Sequence, residues 1–197
     1  LHATIRRQRQ MCIRDRKATV LYAVEVPEEG GDTKFANATA AFDALSDGMK
    51  ENLVRWRGVF SPKLVHGSGG FYKSEEAEEN LGNAYGGDND YAETEVVHPI
   101  IRTHAETGAK SIYCGMAHTV NIEGWSRDDS LPIFRHLTEH LTQDQFVTRF
   151  TWRQGSLAMW DNRCVFHYAL NDYDGHRRHM HRLSLIHISE PTRHRRI

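Results

Sequence analysis

Trp160-Asp161-Asn162-Arg163-Cys164-Val165-Phe166-His167-Tyr168-Ala169, then Asp172-Tyr173-Asp174-Gly175 and Arg177-Arg178-His179-Met180-His181-Arg182, is the stretch on which this chain turns. Side chains alternate between the faces of an extended strand, so Val165, His167 and Ala169 share one face. Residues 171–175 are rich in Asn, Asp and Gly, which tolerate tight backbone, and read as a turn. The chain then returns with Arg178, Met180 and Arg182 on one face of the next strand. A hairpin centred near Asp172-Tyr173 sets His167 opposite Arg178, both pointing the same way. An imidazole and two guanidiniums facing one interior are costly to bury without partners. A metal suits the histidine and carboxylates suit the arginines, so the stretch reads as a ligand site.

Working outward, 197 residues suffice for one domain with a sizeable core. Hydrophobic and charged fractions are those of an ordinary globular protein. Cys12, Cys114 and Cys164 form no Cys-x-x-Cys and no disulfide framework, which favours a reducing compartment and predicts a cytoplasmic protein. No apolar run approaches a membrane span and no signal peptide is visible, so no membrane partner is expected.

Charge is uneven. Residues 1–17 carry six Lys/Arg against one Asp, and 183–197 carry three Arg against one Glu, which leaves 16 Lys/Arg against 24 Asp/Glu between them. Basic ends on an acidic middle suit either nucleic-acid-binding arms or segments foreign to the domain. The second reading is preferred, and no nucleic-acid partner is expected. Residues 1–16, with Met11-Cys12-Ile13-Arg14-Asp15, lack a clear period and resemble translated sequencing-adapter read-through. Residues 184–197, with Ser184-Leu185-Ile186-His187-Ile188-Ser189-Glu190-Pro191, resemble the same. Both are expected to be non-native and poorly packed, leaving residues 17–183 as the domain.

Along that domain, residues 18–26 read as a strand. Residues 27–32 turn it, and Thr33 follows at the rim, where its hydroxyl can donate to a carboxylate. Residues 37–60 carry helical spacing through Met49, Leu53, Trp56 and Phe60, with Asn37 or Thr39 and Ser46-Asp47 as caps and Trp56 as a packing residue. Residues 61–95 show no apolar period and read as a solvated loop or a lid. Residues 96–102 and 110–114 read as paired strands, with His98 a hydrogen-bonding strand start. Asp128-Asp129-Ser130 caps a helix whose His136 and His140 face solvent rather than zinc. At least six strands with long crossings and few helices predict a mainly β fold, a double-stranded β-helix (jelly roll, cupin-like) with flanking helices.

Gly30-Gly31-Asp32-Thr33-Lys34-Phe35-Ala36-Asn37, His98-Pro99-Ile100-Ile101-Arg102-Thr103-His104 and the stretch from Trp160 to Arg182 occur in an order that resembles the Fe(II)- and 2-oxoglutarate-dependent dioxygenases of the taurine dioxygenase (TauD/TfdA) family. The resemblance implies an oxidoreductase that takes Fe(II), with 2-oxoglutarate and O2 as co-substrates, and hydroxylates a small anionic organic substrate. It places an iron histidine at His167, the 2-oxoglutarate carboxylate at Thr33 and Arg178, and a substrate anion at Arg182. A homo-oligomer is compatible with it. In the family a His-x-Asp pair supplies the other iron ligands shortly before the strand matching residues 17–26. Here His2-Ala3-Thr4 has threonine in place of aspartate, and Asp15 has no histidine two residues earlier. The domain therefore reads as N-terminally truncated and inactive as given. The alternative is a non-catalytic β-barrel that binds small anions.

Overall fold

The computed structural model describes residues 17–66 and 94–185. Among them eleven strands form four antiparallel sheets. In the first, β1 (Ala18–Glu25) lies between β11 (His179–Leu185) and β9 (Leu157–Asp161). In the second, β2 (Thr33–Asn37) lies between β10 (Val165–Ala169) and β8 (Val147–Phe150). β3 (Arg57–Phe60) lies between β4 (Val96–Pro99) and β7 (Thr119–Ile122), while β5 (Ile101–Thr103) pairs with β6 (Lys110–Ile112). The first two sheets each join an early strand to two late ones, the long-range antiparallel connectivity of a jelly roll. The mainly β expectation holds.

Alternation sorts the faces of both sheets. In β1, Thr19 and Ala23 are fully buried while Tyr22 is exposed. Val20, Tyr22, Leu157, Met159 and Leu183 share the outer face of that sheet. In the second sheet Ala36 sits in register with Phe166 and Val147, and all three face the main core. That core is filled by α1 (Ala38–Asp43), α4 (Arg127–Leu141), Ile100, Ile112 and Ile122. The opposite face of the same sheet carries Thr33, Phe35, His167 and Ala169.

Capping begins the helices where the sequence allows it. The Asn37 side chain accepts from the amides of Thr39 at 3.1 Å and Ala40 at 3.0 Å, so α1 starts as soon as β2 ends. α4 starts one turn earlier than expected, because Ser126 rather than Asp128 is its cap and accepts from Asp129 N at 3.1 Å. Asp128 and Asp129 instead sit in the first turn, where negative charge meets the positive helix end. Ser130 is buried, donating to Ser126 O at 2.7 Å and accepting from Ile122 N at 2.9 Å, which ties α4 to β7.

The helical reading of residues 37–60 is corrected in part. α1 and α2 (Asp47–Leu53) are helical, but residues 57–60 are β3. Strands on both sides capture this segment, and the helical spacing of Trp56 and Phe60 is overridden by pairing. A Cβ on Gly58 would stand 3.0 Å from Thr119 Cγ2, so the crowded central strand needs glycine there. Trp56 does pack, its ring 5.2 Å from that of Trp125. Of the 61–95 segment, the structure describes residues 61–66, which include α3 (Lys63–His66), and residues 94–95. The lid expectation falls on residues 67–93, outside the described residues, as do the terminal segments 1–16 and 186–197. β11 continues through Leu185, two residues past the boundary read at 183.

Candidate active site

The hairpin expected over residues 165–182 does not form. β10 pairs with β2, and β11 pairs with β1 in another sheet. His167 still lies within reach of the Arg182 charge, because the inner faces of the two sheets oppose each other. Trp160 projects from β9 into the second sheet, its ring 5.1 Å from Phe35 and 4.7 Å from His167. Met180 and Arg182 lie on the same inner face as Thr19, Leu21 and Ala23. Alternation holds within Val165–Ala169 and for Met180 with Arg182, whereas Arg178 precedes β11 and each strand pairs outside the expected hairpin.

Arg178 is held just before β11 by the glycine turn that precedes β2. Its Nε donates to the Gly31 carbonyl at 3.0 Å, and its Cζ lies 5.9 Å from the centre of the Trp152 ring. Its Nη2 is buried and has no hydrogen-bond partner. A buried guanidinium N–H without an acceptor is costly, so this nitrogen calls for an anionic or carbonyl oxygen. Trp152 Nε1 donates to Thr33 Oγ1 at 2.9 Å, with both side chains buried. The indole occupies a lone pair of the hydroxyl, leaving its hydrogen to donate. Asp32 fastens the neighbourhood by accepting from Arg149 Nε and, at 3.0 Å, from Thr151 Oγ1. Asp172 Oδ1 accepts from Gly31 N at 2.7 Å, clipping the 171–175 turn onto the same glycines.

His167 stands two residues along the same face from Thr33's register partner, Ala169. Its pKa is drawn down to about 4, first by desolvation and then by the Arg182 charge. The ring is exposed by area, so this desolvation comes from the two sheets enclosing the cleft rather than from complete burial. Either way the imidazole is neutral at pH 7, with a lone pair for a metal.

The remaining motif residues build the frame. Asn162 exchanges hydrogen bonds with the buried Thr19 hydroxyl at 2.9 and 3.2 Å, fixing β1 to the β9–β10 turn. Arg163 Nε reaches both oxygens of Asp161, at 2.9 and 3.1 Å, and its Nη1 meets Glu106. His104 Nε2 lies 3.1 Å from Asp161 Oδ2, and its Nδ1 accepts from Thr107 N at 3.2 Å. Burial would raise the Asp161 carboxyl, but hydrogen bonds from Arg163 and His104 outweigh it and hold it far below the carboxylate range. His104, Asp161 and Cys164 place ligand atoms within 4.8 Å of one another. The Arg163 guanidinium already occupies that carboxylate, so the cluster is an ion-pair network rather than a metal site. His98 lies beside the Phe60 and Tyr113 rings, and His140, expected to face solvent, is instead half-buried with its Nε2 2.8 Å from Ala41 O. Sequence reasoning left Trp152 and Trp160 without roles, though both precede or open the decisive stretch.

The model of the family described as taurine catabolism dioxygenase TauD, TfdA family matches residues 13–184. The chain belongs to the TauD/TfdA family. Among TauD/TfdA relatives, an alkylsulfatase of Acinetobacter baylyi is 31% identical over 169 residues, covering 86% of this chain and 52% of the relative. An alpha-ketoglutarate-dependent 2,4-dichlorophenoxyacetate dioxygenase of a Burkholderia species is 36% identical over 149 residues, covering 76% of this chain and 46% of the relative. The chain thus spans about half the length of these curated relatives. The solved structure of AAD-2 in complex with Mn(II) and N-oxalylglycine superposes with a TM-score of 0.71 at 30% identity, covering 86% of this chain and 63% of that one.

Proposed function

We propose that this TauD/TfdA chain is the 2-oxoglutarate-binding part of an Fe(II)- and 2-oxoglutarate-dependent dioxygenase acting on a small organic oxyanion. The unpartnered, buried Nη2 of Arg178 beside the Thr33 hydroxyl carries this reading. A guanidinium nitrogen and a hydroxyl converging between two sheets suit the distal carboxylate of a diacid. N-oxalylglycine, bound in the AAD-2 structure, is an isostere of 2-oxoglutarate. Arg182, on the opposing sheet face, suits the anionic end of a second ligand. Relatives named for an alkyl sulfate and for 2,4-dichlorophenoxyacetate support a sulfate ester or aryloxyalkanoate there.

The residues fit the co-substrate better than the metal. Bound Fe(II) supplies oxygen activation in this class, held by two histidines and one carboxylate. Among the described residues His167 alone has that place. No carboxylate or second imidazole joins it, and the one described ligand cluster, His104–Asp161–Cys164, is a different group. His167 by itself does not make an iron site among the described residues. The chain's own residues clamp the diacid, hold a neutral imidazole nearby, and wall the space with Phe35 and Trp152. As given, the chain is proposed to bind 2-oxoglutarate without turnover.

Calorimetric titration of 2-oxoglutarate into the chain and its Arg178→Lys variant tests the clamp. The loss of the planar fork should weaken binding at least tenfold, and unchanged affinity would remove the assignment. Succinate release with Fe(II), 2-oxoglutarate and ascorbate tests turnover. It is expected only after a relative's His-x-Asp strand is joined ahead of Lys17, and release from the chain alone would refute the binding-only state.

A further inference from the structure

We propose that Trp160 positions the organic substrate, its indole N–H donating to an oxyanion oxygen of the anion that Arg182 attracts. The inference rests on the function proposed above and deepens it, since it names a donor for the second ligand.

Trp160 is 7% exposed and its Nε1 is buried with no hydrogen-bond partner. The other tryptophan of this space behaves differently, because Trp152 spends its indole N–H on Thr33 Oγ1. An indole nitrogen is a donor only, so the missing partner is an acceptor. Its ring is held from the second sheet by Phe35 and His167, at centroid distances of 5.1 and 4.7 Å.

Register says which ligand it serves. Trp160 lies opposite Thr19, which lies opposite Ser184 on β11. Ala158 lies opposite Leu21, which lies opposite Arg182. Trp160 and Arg182 therefore project from one sheet face, on the two strands that flank β1, two residues apart in register. Together they offer one charged and one neutral donor. The diacid already has Arg178 and Thr33 near the other end of the space, with an indole that is already bonded. The second orphaned donor thus falls to the second anion, a carboxylate or sulfate ester.

The indole reports its own bond. Protein labelled with 15N-tryptophan is titrated with 2-oxoglutarate, then with phenoxyacetate and, in a parallel arm, hexyl sulfate. The Trp160 Nε1–H signal is assigned by its loss in Trp160→Phe. Should that variant not fold, Phe variants at the other three tryptophans assign it by elimination, and the wild-type shift decides. A saturable downfield shift with phenoxyacetate or hexyl sulfate, and little shift with 2-oxoglutarate, is expected. Trp160→Phe should weaken binding of the responding anion about tenfold while leaving 2-oxoglutarate affinity within about twofold. A residue that only packs would lower both affinities alike. A signal unmoved by both anions, one moved as far by 2-oxoglutarate as by either anion, or equal losses of affinity for both ligands overturns the proposal. Failure of the underlying function looks different: 2-oxoglutarate then fails to bind the wild-type chain, or binds Arg178→Gln as tightly.

Discussion

The Gly31 carbonyl accepts the Nε–H of Arg178 at 3.0 Å, joining residues 147 apart in sequence. This bond holds the guanidinium, whose buried Nη2 has no hydrogen-bond partner. It exists because the turn before β2 has no side chain in the way. Gly31 has φ +65°, and a Cβ there would stand 3.0 Å from Arg178 Cδ and 3.2 Å from its Nε.

Gly31→Ala should therefore harm stability and binding together. The left-handed backbone costs a non-glycine residue about 1–2 kcal/mol, a fall of roughly 2–8 °C in Tm for a chain of this size. The displaced guanidinium should bind 2-oxoglutarate about tenfold more weakly. Thermal unfolding and calorimetry read the two effects. A lower Tm with intact affinity would separate the turn from the clamp.

Trp152→Phe keeps an aromatic ring beside Phe150 and Arg178 but removes the donor to Thr33 Oγ1. Losing one buried hydrogen bond should cost about 1 kcal/mol in urea unfolding. The freed hydroxyl can rotate, so 2-oxoglutarate affinity should fall by a small factor, well short of the loss in Arg178→Lys.

Asp161 gives a pH-dependent prediction. Its folded pKa lies below the unfolded value of about 3.9, because Arg163 and His104 hold its carboxylate. Its contribution is present above that pH and is lost as the pH falls below it. Asp161→Asn leaves Arg163 half-matched and should cost about 2 kcal/mol at pH 7. Urea unfolding at pH 7 and pH 3 checks this. The gap between variant and wild type should narrow at pH 3, and a constant gap would exclude an ionic origin.

Cys114 is 1% exposed, and burial pushes its thiol up to about 12. At pH 8 the folded chain holds almost no thiolate there, so Cys114 should resist a thiol reagent until the chain unfolds. Timed labelling followed by peptide mass analysis reads it. Labelling of Cys114 as fast as that of a free thiol would show that the core around Ile112 and Phe134 opens readily.

Much of the site was legible one strand at a time. The period of two in residues 165–169 put His167 on a face with Ala169, and the same count put Met180 with Arg182. The association of Thr33 with Arg178 came only from the family resemblance, and the contact of Arg178 with Gly31 came only from the structure. What misled was the adjacency of residues 171–175, which suggested a hairpin between the strands they connect. In helical segments the period overran α2 into β3, where lateral pairing captured the chain.

By itself the sequence determined which side chains travel together on each strand, because alternation is a local consequence of extended backbone. It also determined where turns can fall, since glycine accepts the positive φ that Gly31 takes. Only the tertiary structure decided that β10 joins β2 while β11 joins β1, and that a gap between two sheets, not a hairpin face, gathers His167, Arg178, Arg182 and Trp160. Strand partners are chosen by burial and hydrogen bonding summed over residues more than a hundred positions apart, and no local pattern carries that sum.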